Sequence, residues 1–424
     1  MITEALRLII ARKRDKYAFE QFSASGIDFS ALPEELGLYI HVPFCRSLCP
    51  FCPYNKTIYK KASAVRYYTA LLKELDIYRP FLKGKQISSI YIGGGTPNLM
   101  LGEIAVLLGK IRSRLNVGGD TGMEIHPREA TPTQLAEIKK AGINLISVGV
   151  QSFHQGSLEY LERGYAPEDS HRAVQSALQA GFDTVDVDIM YNIPGQSETD
   201  IEKDLKICLT YGVDQVSIYP LIVFPCTPLQ EKIKSTGAHR FSELKEYKIQ
   251  KRLDKIAANH GYERTSIWTY GRKEAKRYTS VTRETFLGLG ASATSLYDKY
   301  FYLNTFDLEE YIKALESGRI PISLINTMSP REKQVFWLFW RCYDTVIPRQ
   351  RFHSLFGASL DHKFPLLITG LKMLGLARDH GEMLKLTGLG AFCYHFVEKQ
   401  YSIKYLNTLW NASMRNPWPK RLEL

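Results

Sequence analysis

Three cysteines within eight residues are the feature of this sequence that most directly indicates chemistry. Cys45, Cys49 and Cys52 form a Cys-x3-Cys-x2-Cys run just after the apolar segment 36–42. Three thiolates on one short loop suit a 4Fe-4S cluster, in which one iron has no protein ligand. A structural zinc ion instead needs four protein ligands, so a distant histidine would have to complete the set. The spacing therefore favours an iron–sulfur cluster and leaves zinc as the alternative.

An iron without a protein ligand can bind a small molecule through its amino and carboxylate groups, while the cluster donates one electron. The other four cysteines are scattered along the chain and are predicted to be bystanders: Cys208, Cys226, Cys342 and Cys393. An odd total of seven, with three crowded together, argues against a secreted disulfide framework and favours a reducing compartment.

The cysteine run lies at the start of a repeating pattern of βα units. Six short apolar runs alternate with stretches of helical periodicity, at 36–42, 86–93, 121–127, 145–151, 183–191 and 215–222. This alternation predicts an α/β fold with a parallel sheet, and six strands close only part of a barrel. We therefore expect a partial (β/α)6 barrel with its chemistry at the carboxyl ends of the strands.

The organisation of the chain suggests four regions. They are an N-terminal helical extension (1–35), the partial barrel (36–235), a barrel extension on the substrate side (236–324) and a C-terminal helical domain (325–424). The last region is predicted to form helix, hairpin and helix, with the turn at 379–381, which is a winged-helix-like outline. Because its second helix is apolar rather than basic, a lid packed on the barrel is favoured over a DNA-binding module.

Composition restricts the class of protein further. The 424 residues are 45% hydrophobic and 12% aromatic, which excludes disordered and fibrous proteins. The sequence contains neither an apolar run of roughly 18 residues nor a signal peptide, so a cytoplasmic location is expected. The net charge of +11 favours anionic partners, and the Arg/Lys-rich amphipathic N-terminus is compatible with peripheral contact to an anionic membrane.

Several motifs give the chain a resemblance to a known family. Tyr-Ile-His-Val-Pro-Phe-Cys at 39–45 and Gly-Gly-Gly-Thr-Pro at 93–97 are joined by further matching segments at 123–128, 147–153, 188–194, 277–280 and 287–293. With the cysteine spacing, they resemble the radical S-adenosylmethionine (SAM) superfamily. The flanking residues narrow the resemblance to the oxygen-independent coproporphyrinogen III oxidase-like branch, which includes the class C radical SAM methyltransferases. It covers roughly residues 36–305, and the C-terminal module is similar to that branch's lid.

The resemblance implies a role for each matching position. Glu124 would accept a hydrogen bond from the cluster-bound SAM and would not be a proton-transfer base. Tyr39 would contact cofactor and substrate, with a place in the barrel core as the alternative. Phe44 and Phe51, which flank the cysteines, would pack around the cluster. The other positions implied to hold the cluster or the first SAM are Cys45, Cys49, Cys52, Gly94, Gly95 and Thr96.

A second set of positions implies a second SAM molecule, held by Gln151, Arg163 and Asp188. Asp188 lies in an apolar run, where an unpaired carboxylate is costly, so a fixed partner is expected. The candidates for that partner are the ligand and Arg163.

Several positions differ from the sequence pattern of this branch, and these differences bear on which reaction the protein catalyses. Tyr54 occupies the position of a further cysteine in the porphyrinogen enzymes, and Asn192 replaces a glycine in a turn expected to face the substrate. The heme-chaperone pattern His-Asn-x-x-Tyr-Trp is replaced by the segment 276–283. These departures favour transfer of a methyl group from the second SAM to an sp2 carbon of an aromatic, quinone or tetrapyrrole substrate.

Other functions remain open on the sequence alone. The alternatives are oxidative decarboxylation of coproporphyrinogen III and a heme-chaperone-like protein. A metal-responsive DNA-binding regulator is disfavoured, so no nucleic-acid partner is expected. For an enzyme of this branch, a flavodoxin- or ferredoxin-like protein is the expected electron donor.

Overall fold

A computed structural model describes residue 10 and residues 16–23, 26–279 and 284–424. The basic N-terminus proposed for membrane contact therefore lies, except for Ile10, outside the described residues. Positions 280–283 of the segment compared with the heme-chaperone pattern lie outside them as well. Among the described residues, no helix combines the length and apolar character needed to cross a membrane.

Six parallel strands form the partial barrel, as predicted. They are Glu35–Val42, Gln86–Gly94, Asn116–Ile125, Leu145–Gln151, Thr184–Tyr191 and Gln215–Pro220. Each pairs in parallel register with the next. The first, fourth and fifth strands are buried along nearly their whole length, as expected when both faces of a parallel sheet are covered, whereas the third is buried mainly toward its carboxyl end.

The third barrel strand begins at Asn116, five residues before the apolar run that predicted it. The apolar pattern misses this first part of the strand because it contains two glycines. Gly118 and Gly119 lie at an irregularity in the pairing with the second strand, between the paired residues Val117 and Asp120, where a Cβ on Gly119 would stand 1.7 Å from the backbone oxygen of Ser88. The glycines that weaken the sequence pattern are thus required by the close approach of the two strands.

Helices connect and cover these strands. The crossover helices are Lys61–Leu82, Leu101–Arg114, Pro132–Lys140, Gln155–Tyr160, Pro167–Gln179 and Glu198–Tyr211, followed by Pro228–Thr236 and Glu243–Asn259. Their apolar faces and the barrel strands form one continuous hydrophobic core. This core fixes the strand ends that carry the candidate site.

The sheet continues beyond the barrel on both sides. An antiparallel hairpin, Tyr262–Ser266 and Thr269–Arg272, extends the sixth strand. On the other side, Phe286–Leu289 pairs in parallel with the first strand. The remaining strands are Thr294–Tyr297, Tyr300–Asn304, Ile322–Thr327, Ala18–Gln21 and Arg421–Glu423.

One local expectation is wrong in this extension. Ala18–Gln21 falls in the region expected to be helical but is a strand, because it fits between Ile322–Thr327 and Arg421–Glu423 at the sheet edge. The Gly-rich segment after residue 285 has the composition of a turn but contributes Phe286–Leu289 and Thr294–Tyr297 to the sheet. Its glycines permit close packing: a Cβ on Gly288 would stand 2.2 Å from the backbone oxygen of Thr294.

The C-terminal region has the winged-helix-like outline. Its helices are Pro330–Tyr343, Arg349–Phe356, Leu360–Lys363, Pro365–Met373 and Gly388–Tyr401, and its hairpin is Ala377–His380 and Met383–Leu386, whereas the helix Leu308–Glu316 belongs to the preceding barrel extension. The hairpin joins Val346–Pro348 in a small three-stranded sheet. From Gly388 the last helix continues through a π-helical stretch, Ser402–Leu406, to Asn407–Arg415. π-Helical segments are frequent at functional sites.

Candidate functional site

The cysteine loop leaves the carboxyl end of the first barrel strand. Cys45 ends a two-residue strand, Phe44–Cys45, that pairs with Thr57–Ile58 and so closes the loop. Burial, together with the negative charges of Cys52 and Cys49, raises the pKa of the Cys45 thiol to about 11. Thiols that ionise this reluctantly without a cation become good ligands once a metal neutralises them. The donor set therefore fits a metal cluster.

The spacing of the thiols distinguishes a cluster from a zinc ion. Within the described ranges, the one trio of His, Cys, Asp or Glu ligand atoms lying within 4.8 Å of one another involves Glu243, Glu246 and His395. At least one pair of the three thiol sulfurs is thus more than 4.8 Å apart, which is wider than two ligands that each bind one zinc ion at about 2.3 Å. His41 cannot supply a fourth ligand in this arrangement, because its Nδ1 is hydrogen-bonded to the Tyr39 hydroxyl and its Nε2 to the Asn55 carbonyl.

The Glu243, Glu246 and His395 trio is better explained as a structural network than as a metal site. The Lys399 ammonium lies 2.9 Å from Glu243 and 3.2 Å from Glu246, where a cation would otherwise sit. Trp268 Nε1 donates to His395 Nδ1 at 2.7 Å, so the His395 Nε2 proton faces Glu246. These bonds attach the last helix to the barrel.

Asn192 belongs to the same network, and this corrects its interpretation as a substrate-facing residue. The Asn192 side chain is 2% exposed, accepts from Phe241 N at 2.7 Å and donates to Glu246. Its φ of 59° is in the left-handed region, which glycine and asparagine adopt most readily. Asn192 is therefore part of this structural network.

The glycine loop after the second strand packs directly on the cysteine loop. A Cβ on Gly95 would stand 2.8 Å from Cys45 Sγ, and a Cβ on Gly94 would stand 2.7 Å from the His41 ring. The backbone N–H groups of Gly95 and Thr96 donate to Val42 and Phe44 at 2.7 Å. The missing side chains thus let this loop rest against the cluster ligands, whereas its contact with the SAM amino group stays a prediction.

Glu124 lies beside this loop at the end of the third strand. Tyr91 donates to Glu124 Oε1 at 2.6 Å, and Gly94 N donates to Oε2 at 3.0 Å. Burial raises the pKa of Glu124, and these two donors partly offset that effect. Tyr39 stacks on Tyr91 with ring centroids 6.1 Å apart. The structure therefore brings Tyr39 and Glu124 together through Tyr91, which sequence reasoning missed although it lies in a predicted strand.

Arg163 uses its side-chain donors on the cluster side of the site. It donates from Nη1 to Cys49 Sγ at 3.1 Å, from Nη2 to the Gly149 carbonyl at 2.9 Å and from Nε to the Tyr165 hydroxyl at 3.0 Å. It is therefore not the hydrogen-bonded partner expected for Asp188. Its contact with a second SAM stays a prediction.

We expect Arg163→Met to make the reduction potential of the bound cluster more negative by about 60–130 mV. The guanidinium donates to a cluster ligand and places a positive charge beside it, which favours the more negative reduced state. A charge-assisted hydrogen bond is worth about 1.5–3 kcal/mol, and about 1.4 kcal/mol corresponds to 59 mV for one electron. Spectroelectrochemistry of the reconstituted protein measures this shift. Exposed Arg172→Met serves as the control, and equal potentials for wild type and Arg163→Met would contradict the expectation.

The Asp188 side chain accepts a hydrogen bond from a residue of a neighbouring strand. Ser147 Oγ donates to Asp188 at 2.8 Å and lies 3.1 Å from Asp186, which Ser217 also contacts. Burial, and then the negative charge of Asp186, raise the pKa of Asp188. Within residues 16–23, 26–279 and 284–424, Asp188 has no ion pair at salt-bridge distance. Ser147 was missed as a partner although it opens a matched motif.

Gln151 and Tyr219 are hydrogen-bonded to each other at the ends of two other barrel strands. Gln151 ends the fourth strand with a φ of 67°, and its Oε1 accepts from the Tyr219 hydroxyl at 3.2 Å.

Of the two phenylalanines expected around the cluster, Phe51 packs with Cys49 and Cys52. Phe44 instead points into the barrel core, against Tyr67.

Tyr54 lines the space between the cysteine loop and the last helix. Its side chain is 55% exposed, yet burial raises its pKa, as do the negative charges of Glu124, Cys52, Glu398 and Asp188. The ring of Tyr54 lies 5.3 Å from that of Trp410, centroid to centroid, so the cysteine loop and the helix Asn407–Arg415 meet at this residue.

Comparisons with known proteins agree with this architecture. The model of the radical SAM superfamily matches residues 39–208. Heme chaperone HemW of Buchnera aphidicola is 30% identical over 268 residues, 61% of this chain and 69% of that protein. Heme chaperone HemW of Bacillus subtilis is 26% identical over 362 residues, 83% of this chain and 95% of the relative.

Oxidases are similar to the chain as well. Oxygen-independent coproporphyrinogen III oxidase of Pseudomonas aeruginosa is 26% identical over 309 residues, 68% of this chain and 67% of that enzyme. The solved structure of coproporphyrinogen III oxidase HemN from Escherichia coli has a TM-score of 0.78 at 21% identity, over 94% of this chain and 98% of that chain, so it has the same fold. The chain belongs to the radical SAM superfamily, in the branch that contains HemW and the HemN-like oxidases. That family implies a 4Fe-4S cluster and SAM.

Proposed function

We propose that this radical SAM enzyme methylates an sp2 carbon of a planar conjugated substrate, using a second SAM as the methyl donor. The observation that carries the proposal is the carboxyl group of Asp188 in the fifth barrel strand, which is half-buried, accepts a hydrogen bond from Ser147 and has no ion pair among the described residues. A partly exposed carboxylate in such a place is best satisfied by a ligand that donates hydrogen bonds. The ribose hydroxyls or the amino group of a second SAM are such donors.

The residues of the chain divide between the two SAM molecules. Cys45, Cys49 and Cys52 would hold the cluster, which supplies the electron that cleaves the first SAM to a 5′-deoxyadenosyl radical. Glu124, together with the glycine loop, would hold that SAM. Asp188 and Gln151, on neighbouring strand ends, would orient the second SAM so that its methyl group faces the first.

The products of turnover test this proposal. Methyl transfer consumes two SAM molecules and should yield 5′-deoxyadenosine, methionine and S-adenosylhomocysteine. Anaerobic extracts incubated with methyl-labelled SAM should also give a labelled product by mass spectrometry. Asp188→Ala should abolish formation of S-adenosylhomocysteine while leaving uncoupled 5′-deoxyadenosine. Asp169→Ala, at a surface carboxylate engaged with Arg172, is the control.

Oxidative decarboxylation of a porphyrinogen is the second candidate, and the names of the similar oxidases favour it. It would release carbon dioxide with 5′-deoxyadenosine and methionine but without S-adenosylhomocysteine. That product pattern from coproporphyrinogen III would replace methyl transfer. A heme-chaperone-like function, named for other relatives, predicts stoichiometric heme binding with no modified product.

A further inference from the structure

The fifth barrel strand carries two carboxyl groups on one face. Asp186 and Asp188 are two residues apart, so their side chains leave the strand on the same side. Asp186 is 1% exposed, whereas Asp188 is half-buried. The proposed function uses Asp188 and leaves the more deeply buried acid without a role.

One serine hydroxyl links the two carboxyl groups. Ser147 is buried and is the register partner of Asp186 on the fourth strand. Its Oγ lies 2.8 Å from Asp188 Oδ2 and 3.1 Å from Asp186 Oδ2. A hydroxyl carries one hydrogen, so Ser147 can donate to only one of these oxygens. The other contact is a hydrogen bond only if that carboxyl group is protonated and donates to Ser147 Oγ. The geometry therefore fits one proton held by the pair.

The surroundings of the two acids differ. Ser217 Oγ lies 3.0 Å and 3.2 Å from the two oxygens of Asp186. Among the described residues, Ser147 is the one side chain hydrogen-bonded to Asp188. Burial raises the pKa of both acids, and the negative charge of Asp186 raises that of Asp188 further. Asp186 therefore ionises more readily, and the proton resides mainly on Asp188 when no ligand is bound.

The charged groups near the pair do not compensate a second negative charge. Arg163 lowers the pKa of Asp188, but its hydrogen-bond donors are engaged beside the cluster. Glu124, on the third strand, raises the pKa of Asp188 by its negative charge. Burial keeps the other ionisable neighbours neutral, and these are Tyr54, Tyr219, Tyr278 and Cys208. Two ionised carboxylates would repel each other here, so the pair retains one proton at neutral pH.

We propose that Ser147 and Asp186 are positioning residues that take over the proton of Asp188 when a ligand binds there. A ligand N–H or O–H needs a carboxylate that accepts, so the proton has to leave Asp188. Asp188 gives its proton to Ser147 Oγ, while the Ser147 hydrogen moves to Asp186 Oδ2. Two O–H bonds break, two form, and no proton leaves the pair. This inference rests on the proposed function for the ligand, a second SAM, and adds the residues that set the charge of its site.

Infrared spectroscopy of the anaerobically reconstituted protein at pH 7.5 tests for the shared proton. A protonated carboxyl group has a C=O stretch that an ionised one lacks, and incorporation of 13C-labelled aspartate distinguishes aspartates from buried glutamates. Wild type should show such an aspartate band. Asp186→Asn and Asp188→Asn should each lose it, because the amide N–H replaces the shared proton in the contact with Ser147. Persistence of the band in Asp186→Asn would show that Asp188 holds a proton of its own, and would overturn the inference.

Addition of SAM without reductant tests the transfer of the proton. The wild-type band should shift without disappearing, because the proton moves from Asp188 to Asp186. In equilibrium binding of labelled SAM, Asp186→Asn should bind the second molecule severalfold more tightly than wild type, since no proton has to move. Ser147→Ala should bind it about tenfold to a hundredfold more weakly, because ionised Asp188 loses its charge-assisted hydrogen bond. Weaker binding by Asp186→Asn would indicate a merely structural role and would contradict the proposal.

A matched control and a separate product assay complete the experiment. Asp204 is a buried aspartate that accepts from Ser152 Oγ at 2.6 Å and from Phe153 N at 2.8 Å. Asp204→Asn should keep the aspartate band and the SAM affinities of wild type, and Asp186→Asn should keep its iron content and thermal midpoint. Absence of the band from wild type, or a band that SAM leaves unshifted, would overturn the inference whatever the products. If the band behaves as stated but no S-adenosylhomocysteine forms, methyl transfer is wrong and the shared proton stands.

Discussion

Replacing Cys45, Cys49 and Cys52 together by alanine is expected to abolish cluster binding. Reconstituted wild type should contain about four irons and four sulfides per chain, as the family implies, and the triple variant should contain neither above background. The reason is geometric: these thiols share one loop, and the glycine loop packs against Cys45 with no room for another side chain. Iron and sulfide analysis, together with the visible absorption spectrum, measures the loss.

Two cysteines outside the predicted cluster site provide the control for that experiment. Cys226 and Cys393 are partly exposed and lie outside the cysteine loop, so Cys226→Ala/Cys393→Ala should retain the full cluster. Retention of iron and sulfide by the triple variant would show that the ligands lie elsewhere. A colourless protein that bound one zinc ion per chain would favour the alternative metal.

The second large effect is expected for Glu124→Gln. This variant should keep its iron content but cleave SAM about tenfold to a hundredfold more slowly at subsaturating SAM. The carboxylate, fixed by Tyr91 and Gly94, would otherwise accept a charge-assisted hydrogen bond from the cofactor, worth about 1.5–3 kcal/mol. Formation of 5′-deoxyadenosine with dithionite as reductant, quantified by liquid chromatography, gives the rate.

The shape of the SAM dependence distinguishes a binding role from a proton-transfer role. Loss of a binding contact should be partly overcome at high SAM concentration, whereas loss of a proton-transfer base should lower the rate at saturation. Exposed Glu137→Gln, on a neighbouring helix, should behave as wild type. An unchanged cleavage rate in Glu124→Gln would remove this residue from the cofactor site.

Features that depend on local spacing are predictable from the amino-acid sequence. Cys-x3-Cys-x2-Cys places three thiols on one loop, whatever the rest of the chain does. Alternating apolar strands and amphipathic helices predict the six parallel strands because each unit buries its own apolar face. Since parallel strands end at one edge of the sheet, the sequence pattern suffices to predict that Glu124 and Asp188 lie toward the same edge.

The pairing of side chains from distant parts of the chain depends instead on tertiary packing. Arg163 donates to Cys49 across 114 residues of sequence, and Asn192 reaches Glu246 across 54, so one belongs beside the cluster and the other in a structural network. No periodicity encodes such pairs, because they depend on how separate elements dock, and docking is set by the summed packing of the core rather than by any local pattern.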